Sequence, residues 1–378
     1  MRFAAGAIDA LPFIVGAFVI AGVLAFVLTP LVGRVAERLE MIDLPDHRRV
    51  NTSPVPRGGG LAVAFASIAA TIVFLLFNQG TNALRAPASI GSIELVALLG
   101  GGVLAAVIGA LDDYLQLRAR WQLGGQLLLA LTAVLLGATP DVITNPFGGQ
   151  IDTGGAVGVA FAFVWILGMI NSINFIDGLD GLSSGSGRIA AATVGLISLT
   201  TAVGAGDAGQ PFVAVLCFAL VGALVGFLRW NFHPASIFSG TSGVMFVGYT
   251  LALLSILGVA KVAVALLVLG VPIIDTFWII VRRLAAGRSP FTPDRGHIHH
   301  RLLDLGLSHK QTVLFIYGIC VLLGLLSLIL TVSQQVTAFV VFLLLSGVVL
   351  FVITRRGLGH PAHTPGPDRT HPDGTTPP

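Results

Sequence analysis

The chain has 378 residues, 55% of them hydrophobic and only 10% charged, with a formal net charge of +3. A mean hydropathy of +0.91 excludes a soluble globular protein and points to an α-helical membrane protein with many spans. The pI near 9.2 does not mark a nucleic-acid binder, because the basic residues form no single patch. Cys217 and Cys320 both fall inside apolar stretches, as packing residues do, and supply neither a disulfide framework nor a metal site.

A helix crossing a hydrocarbon core of about 30 Å needs about 20 apolar residues. In chain order the segments that meet this expectation are 11–31, 60–77, 93–111, 122–137, 157–173, 187–203, 211–228, 240–258, 261–281, 313–331 and 337–353. The first has only Arg2 before it and is too long for a signal peptide, so it reads as a retained helix. The shortest is 122–137, and the turn between 240–258 and 261–281 is very tight. The 47 glycines suit helices that approach closely in lipid. After Arg356 the sequence GLGHPAHTPGPDRTHPDGTTPP has nothing to bury. The expected organisation is one transmembrane unit, 1–356, and a disordered tail, 357–378.

With eleven spans, alternate connections divide the basic residues very unequally. Arg2, Arg85 and Lys261 fall on one side and the other eighteen Lys and Arg on the other. The positive-inside rule then places the N-terminus outside and the C-terminus in the cytoplasm. The polar stretches LDDYLQLRAR (111–120), NSINFIDGLDGLSSG (171–185), RWNFHPASIFSGTSG (229–243) and the segment 282–310 all fall on the cytoplasmic side. Only Asp275 is expected within the membrane. A transporter should instead line a path between two faces with ionisable residues at mid-membrane.

Asp112 and Asp113 are adjacent carboxylates, which repel unless a cation or proton lies between them, as in divalent-metal or phosphate chemistry. Capping of a helix end, or balance against Arg118 and Arg120, is the plainer account of the same pair. Asn171, Asn174, Asp177 and Asp180 recur every three residues. For all four to converge the helix must end or bend, which Gly178 and Gly181 permit. His297, His299 and His300 lie among Arg288, Arg295 and Arg301. Without nearby cysteines they suit diphosphate or phosphate recognition better than zinc. Acidic, metal-competent loops facing a basic, His-rich loop are the equipment for moving a phosphoryl group from a soluble diphosphate donor to an acceptor in the bilayer.

LDDYLQLR, NSINFIDGLDGL, PIIDT and GRSPFTPDRGHIHHRLL, with RRVNTSPVPRGGG before them, together resemble the polyprenyl-phosphate N-acetylhexosamine-1-phosphate transferase superfamily. The H-x-H-H pattern is closest to its WecA/TagO-like branch, of the glycosyltransferase family 4 type, rather than to the MraY branch. The resemblance implies transfer of a sugar-1-phosphate, most simply GlcNAc-1-phosphate, from a UDP-sugar to undecaprenyl or another polyprenyl phosphate. UMP is released, Mg²⁺ is required (Mn²⁺ as substitute), and the setting is the cytoplasmic face of a bacterial-type plasma membrane. Cell-envelope polysaccharide synthesis is the implied role. The implied partners are the UDP-sugar, the prenyl lipid and the membrane, with no nucleic acid and homodimerisation left open.

By the same resemblance Asp112, Asp113, Asp177 and Asp180 are catalytic. His297, His299 and His300 bind substrate, and Asn174 and Asp177 hold the metal; the residue pattern by itself adds Asn171 and Arg288 to the expected substrate-binding set. One position departs from the pattern. Where the family places a metal-binding aspartate in F-M-G-D-x-G-S, this chain reads FSGTSGV, with Thr241 at the aspartate position. A neutral hydroxyl is a much poorer ligand for a hard dication than a carboxylate. The alternative reading is therefore a weakened or inactive paralogue serving as an accessory membrane protein.

Overall fold

The computed structural model describes residues 2–3, 7–44, 53–87, 90–140, 142–145, 150–201, 210–258, 262–285, 287 and 297–355. The 357–378 tail, Arg288 and Arg295 lie outside the described residues. Thirteen helices form the described structure: α1 (Ala7–Arg38), α2 (Gly60–Thr81), α3 (Ser92–Leu115), α4 (Ala119–Leu135), α5 (Ala156–Ile176), α6 (Leu182–Ser198), α7 (Pro211–Asn231), α8 (Gly240–Leu257), α9 (Val262–Val268), α10 (Gly270–Ala285), α11 (Ile298–Asp304), α12 (His309–Ile329) and α13 (Val332–Arg355). The described β-structure is three two-stranded antiparallel ribbons, which pair Arg2–Phe3 with Thr200–Thr201, Ile42–Asp43 with Val55–Pro56, and Val142–Thr144 with Gln150–Asp152. The protein is an all-α, multi-pass membrane protein.

Helices cover the body of every apolar segment expected from the sequence. Among the described residues seven are long and apolar enough to cross a membrane, namely α1, α2, α3, α5, α7, α8 and α12. An eighth candidate is the pair α9 and α10, expected as one span at 261–281 but bent by 77°. The bend follows from Gly270 and Pro272 just after the break, since proline lacks an N–H and crowds the preceding turn. The helix expected at 187–203 runs instead from Leu182 to Ser198. Its polar start is accommodated because Ser183, Ser184 and Ser186 are buried, with the Ser183 hydroxyl bonded to Asp177 and that of Ser184 to Asn231.

Packing runs opposite to that of a soluble bundle. The inward face of α1 carries Ala10, Ala17, Ala21, Ala25 and Gly33, while Val15, Val19, Val23 and Val27 point outward and are exposed. In lipid there is little gain from burying large apolar groups, so close backbone approach between small residues holds helices together. The approach is tightest where α1 crosses α7. A Cβ on Gly222 would lie 2.1 Å from the Phe18 carbonyl oxygen. Backbone cannot yield as a side chain can, so Gly222→Ala should destabilise the protein by about 1–3 kcal/mol. Gly16→Ala, with open space around the added methyl, should be nearly silent; thermal unfolding in detergent compares the two.

Helices α7 and α8 are the most enclosed of the candidate spans. The start of α8 sits against two neighbours at glycine. A Cβ on Gly60 would lie 1.9 Å from Gly243 N, and one on Gly109 would lie 2.4 Å from the Ser242 Cα. The N–H groups of Gly59 and Gly60 donate to the carbonyls of Phe238 and Ser239, both at 2.9 Å. These approaches bring the start of α2, the end of α3 and the start of α8 to one end of the bundle, beside the α5–α6 turn.

Candidate active site

Asp112 and Asp113 end α3 where α8 begins. The N–H of Thr241 donates to Asp113 Oδ1 (2.7 Å) and that of Ser242 to Asp113 Oδ2 (3.0 Å). Asp113 thus satisfies two of the N–H groups that a helix start leaves without intrahelical partners, and its charge suits the positive end of the α8 dipole. Asp112 accepts from Gln122 Nε2 at both oxygens (3.0 and 2.9 Å) and from Leu117 N–H (3.1 Å). The Thr241 hydroxyl donates to its Oδ2 at 2.5 Å. Each of the two adjacent carboxylates thus has its own set of donors. Capping does operate here, although the helix capped is α8, far along the chain.

Beyond this junction opens a cavity of about 390 Å³, lined among others by Asp43, Arg57, Asp113, Asn174, Asp177, Asp180, Asn231, Thr241 and His300. Arg57 forms an ion pair with Asp43. Asn174, Asp177 and Asp180 reach the cavity because α5 stops at Ile176 and α6 starts at Leu182. Gly181 makes the reversal at φ +78°. This is the break that convergence of the Asn/Asp stripe requires.

Asp177 accepts from the Ser183 hydroxyl. Burial above all, helped by the nearby charges of Asp113 and Asp180 and opposed by the Ser183 bond, pushes its carboxyl up to about 7. Asp180 accepts at Oδ2 from Ala235 N–H (3.1 Å), and that oxygen lies 2.7 Å from His233 Nδ1. Among the described residues its Oδ1 and the Asn174 carboxamide have no hydrogen-bond partner.

Other expected residues are placed differently. Asn171 does not line the cavity. Its amide donates to Gln126 Oε1 of α4 (2.7 Å) and to the Leu167 carbonyl (2.8 Å). Of the three histidines only His300 lines the cavity. His297 precedes α11, with Nδ1 2.8 Å from Asp275 Oδ2, while the Ile298 N–H donates to Asp275 Oδ1 at 2.9 Å. His299 is buried against Gly178, and among the described residues neither ring nitrogen has a hydrogen-bond partner. Burial, and then the His300, His297 and His309 imidazoles, hold its pKa well below the usual histidine value. It is therefore a neutral ring rather than a cationic phosphate donor.

The sequence reading overlooked several groups at or behind the cavity: Asp43, Arg57, Asn231, Gln122, His233 and His309. The local signal for them was slight. Arg57 lies in PVPRGGG, part of the stretch that carries the resemblance, and Asn231 and His233 lie in the polar connection RWNFHPAS, where no single residue stands out. Asp180, His233 and His309 each bring one ligand-type atom within 4.8 Å of the others.

The fold and cavity define a class: a multi-pass membrane protein with a polar, acid-lined chamber at one end of its bundle. The glycosyl transferase family 4 matches residues 95–259. The chain is 32% identical over 339 residues to a probable undecaprenyl-phosphate N-acetylglucosaminyl 1-phosphate transferase of Bacillus subtilis, covering 88% of this chain and 89% of the relative. It is 36% identical over 319 residues to a decaprenyl-phosphate N-acetylglucosaminephosphotransferase of Mycobacterium leprae, covering 79% and 78%. It is 30% identical over 329 residues to a phospho-N-acetylmuramoyl-pentapeptide-transferase of Desulforudis audaxviator, covering 82% and 95%. The chain belongs to the polyprenyl-phosphate N-acetylhexosamine-1-phosphate transferase superfamily.

Proposed function

We propose that this protein transfers N-acetylglucosamine-1-phosphate from UDP-GlcNAc to a polyprenyl phosphate and releases UMP. The observation that carries the reading is the cavity itself, where Asn174, Asp177 and Asp180 face Arg57 and His300 in a space of about 390 Å³. Kinship to relatives named for this transfer supports the donor and acceptor. Eleven spans with the N-terminus outside would put the cavity on the cytoplasmic face of a bacterial-type plasma membrane, where a soluble UDP-sugar is available.

In this reaction an oxygen of the lipid phosphate bonds to the sugar-bearing phosphorus of the donor. The bond from that phosphorus to the bridging oxygen breaks, and UMP departs with its electron pair. A phosphate nucleophile needs little activation, so positioning and charge neutralisation provide most of the acceleration.

The unpartnered Asn174 carboxamide and the raised pKa of Asp177 fit a divalent cation, as hard oxygen donors in a site where an added positive charge favours the carboxylate. Asn174 and Asp177 would hold Mg²⁺, or Mn²⁺ in its place, which supplies neutralisation of the diphosphate charge when bound. Arg57 and His300 are placed to donate to phosphate oxygens. Asp113 and Asp112 hold the α8 start that forms one wall. Asp180 lines the same space. These remaining donors support an active transferase over an accessory paralogue despite Thr241.

The deciding experiment offers purified protein UDP-GlcNAc and UDP-MurNAc-pentapeptide in parallel, with undecaprenyl phosphate and Mg²⁺, and measures UMP. Release from UDP-GlcNAc alone is expected. Absence of UMP with both donors overturns the reading.

A further inference from the structure

Asp180 is gripped from behind the cavity by two histidines distant from it in sequence. His233 lies in the α7–α8 connection, and its Nδ1 is 2.7 Å from Asp180 Oδ2. His309 is the first residue of α12, and its Nε2 is 4.0 Å from the same oxygen. The two rings stack with centroids 4.0 Å apart and planes inclined by 20°. The His309 side chain is only 9% exposed, and among the described residues neither of its nitrogens has a hydrogen-bond partner.

Three such groups invite a reading as a cation site, but the ring geometry disfavours it. An imidazole lone pair lies in the plane of its ring, and two rings lying face to face at 4.0 Å cannot both contain one ion in their planes. The same geometry suits a carboxylate held on one side. His233 and the Ala235 N–H occupy Oδ2, His309 backs the His233 ring, Oδ1 has no hydrogen-bond partner among the described residues, and Asp180 lines the cavity.

We propose that His233 and His309 are positioning residues that fix the Asp180 carboxylate so that Oδ1 faces the reacting groups. The proposal rests on the transferase reading of the cavity. It also gives the start of α12 and the α7–α8 connection a direct link to the chemistry, although neither histidine lines the cavity.

The test separates donor, ring and fold. His233→Asn keeps an N–H near the place of Nδ1, His233→Phe keeps the stacked ring without it, and His309→Phe keeps the stack without its nitrogens. A hydrogen bond to a charged group is worth roughly a factor of 10–100. Loss of it should therefore appear in kcat for His233→Phe, with KM for UDP-GlcNAc and prenyl phosphate nearly unchanged. His233→Asn should retain most of kcat, His309→Phe should fall between, and thermal midpoints should stay together.

A second readout is independent of turnover. In ¹⁵N-histidine NMR of the detergent-solubilised protein, Asp180→Asn should shift the resonances that vanish in His233→Asn and in His309→Phe, while Asp152→Asn should shift neither. Equal losses in His233→Asn and His233→Phe, or histidine resonances indifferent to Asp180→Asn, would overturn the proposal. A wild type that releases no UMP overturns the transferase reading, and the resonance shifts then judge the histidine–carboxylate contact by themselves.

Discussion

Asp177→Asn and Asp180→Asn should each lower UMP release at least about a hundredfold while leaving helical content and thermal midpoint close to wild type, as expected when only charge is removed from a site built to neutralise phosphate. Both side chains line the cavity, and the asparagine amide replaces one oxygen with little change in shape. The Ser183 hydroxyl and the Ala235 N–H can still donate to the remaining oxygen. What is lost is negative charge beside the Asn174 carboxamide, and with it affinity for a divalent cation.

Asp112→Asn should also lose activity, but for a different reason and with a different signature. Asp112 accepts from Gln122, Leu117 and Thr241. An amide there turns a donor toward at least one of these donors, and leaving buried donors unsatisfied costs about 1–3 kcal/mol. Its midpoint should therefore fall along with its rate. Near-normal turnover in Asp177→Asn and Asp180→Asn would remove the cavity from the reaction. A shared loss of midpoint in all three would make the acids structural.

These two kinds of acid are not distinguishable in the sequence, and the reason is physical. Apolar length marks helices directly, because a segment that must satisfy its backbone in lipid has few alternatives to a helix. That is why α1 to α5, α7, α8, α12 and α13 cover the bodies of their expected segments, while α6, with its polar serine start, begins five residues early, at Leu182 rather than 187. A break such as that between α9 and α10 depends on Gly270 and Pro272 together with what surrounds them. The NSINFIDGLDG stretch betrays the site because carboxylates directly after an apolar run are costly without a use.

Partners across the chain stay hidden from such local signals. Asn171 and Asn174 have the same type and phase, yet one turns to Gln126 on α4 while the other lines the cavity. His309 looks like the first residue of an ordinary helix until α12 brings it to Asp180. GHIHH reads as three equal donors, whereas Asp275 holds His297 and burial neutralises His299.

Thr241→Asp is the substitution where the sequence pattern and the geometry give opposed expectations that one experiment can separate. It rebuilds the family's carboxylate, and a further acid in the cavity wall should strengthen divalent binding, because the charge gained offsets more of the cost of dehydrating the ion. Thr241, however, is the donor that holds Asp112 Oδ2 at 2.5 Å, beside Asp113. A carboxylate there removes a hydrogen bond to a charged acceptor, worth about 1.5–3 kcal/mol, and adds like-charge repulsion. The position near the start of α8 returns only about 0.3–1 kcal/mol through the helix dipole. The balance without metal is unfavourable, so Thr241→Asp should unfold at a lower temperature than wild type in EDTA. With Mg²⁺ the order of effects reverses: the variant should gain more thermal stability than wild type and reach half-maximal UMP release at a lower Mg²⁺ concentration. Paired Mg²⁺ titrations of melting and of UMP release check both halves. Identical Mg²⁺ dependence in the two proteins would mean that residue 241 does not face the cation. Equal melting in EDTA would mean that the Thr241–Asp112 bond does not hold the α3–α8 junction.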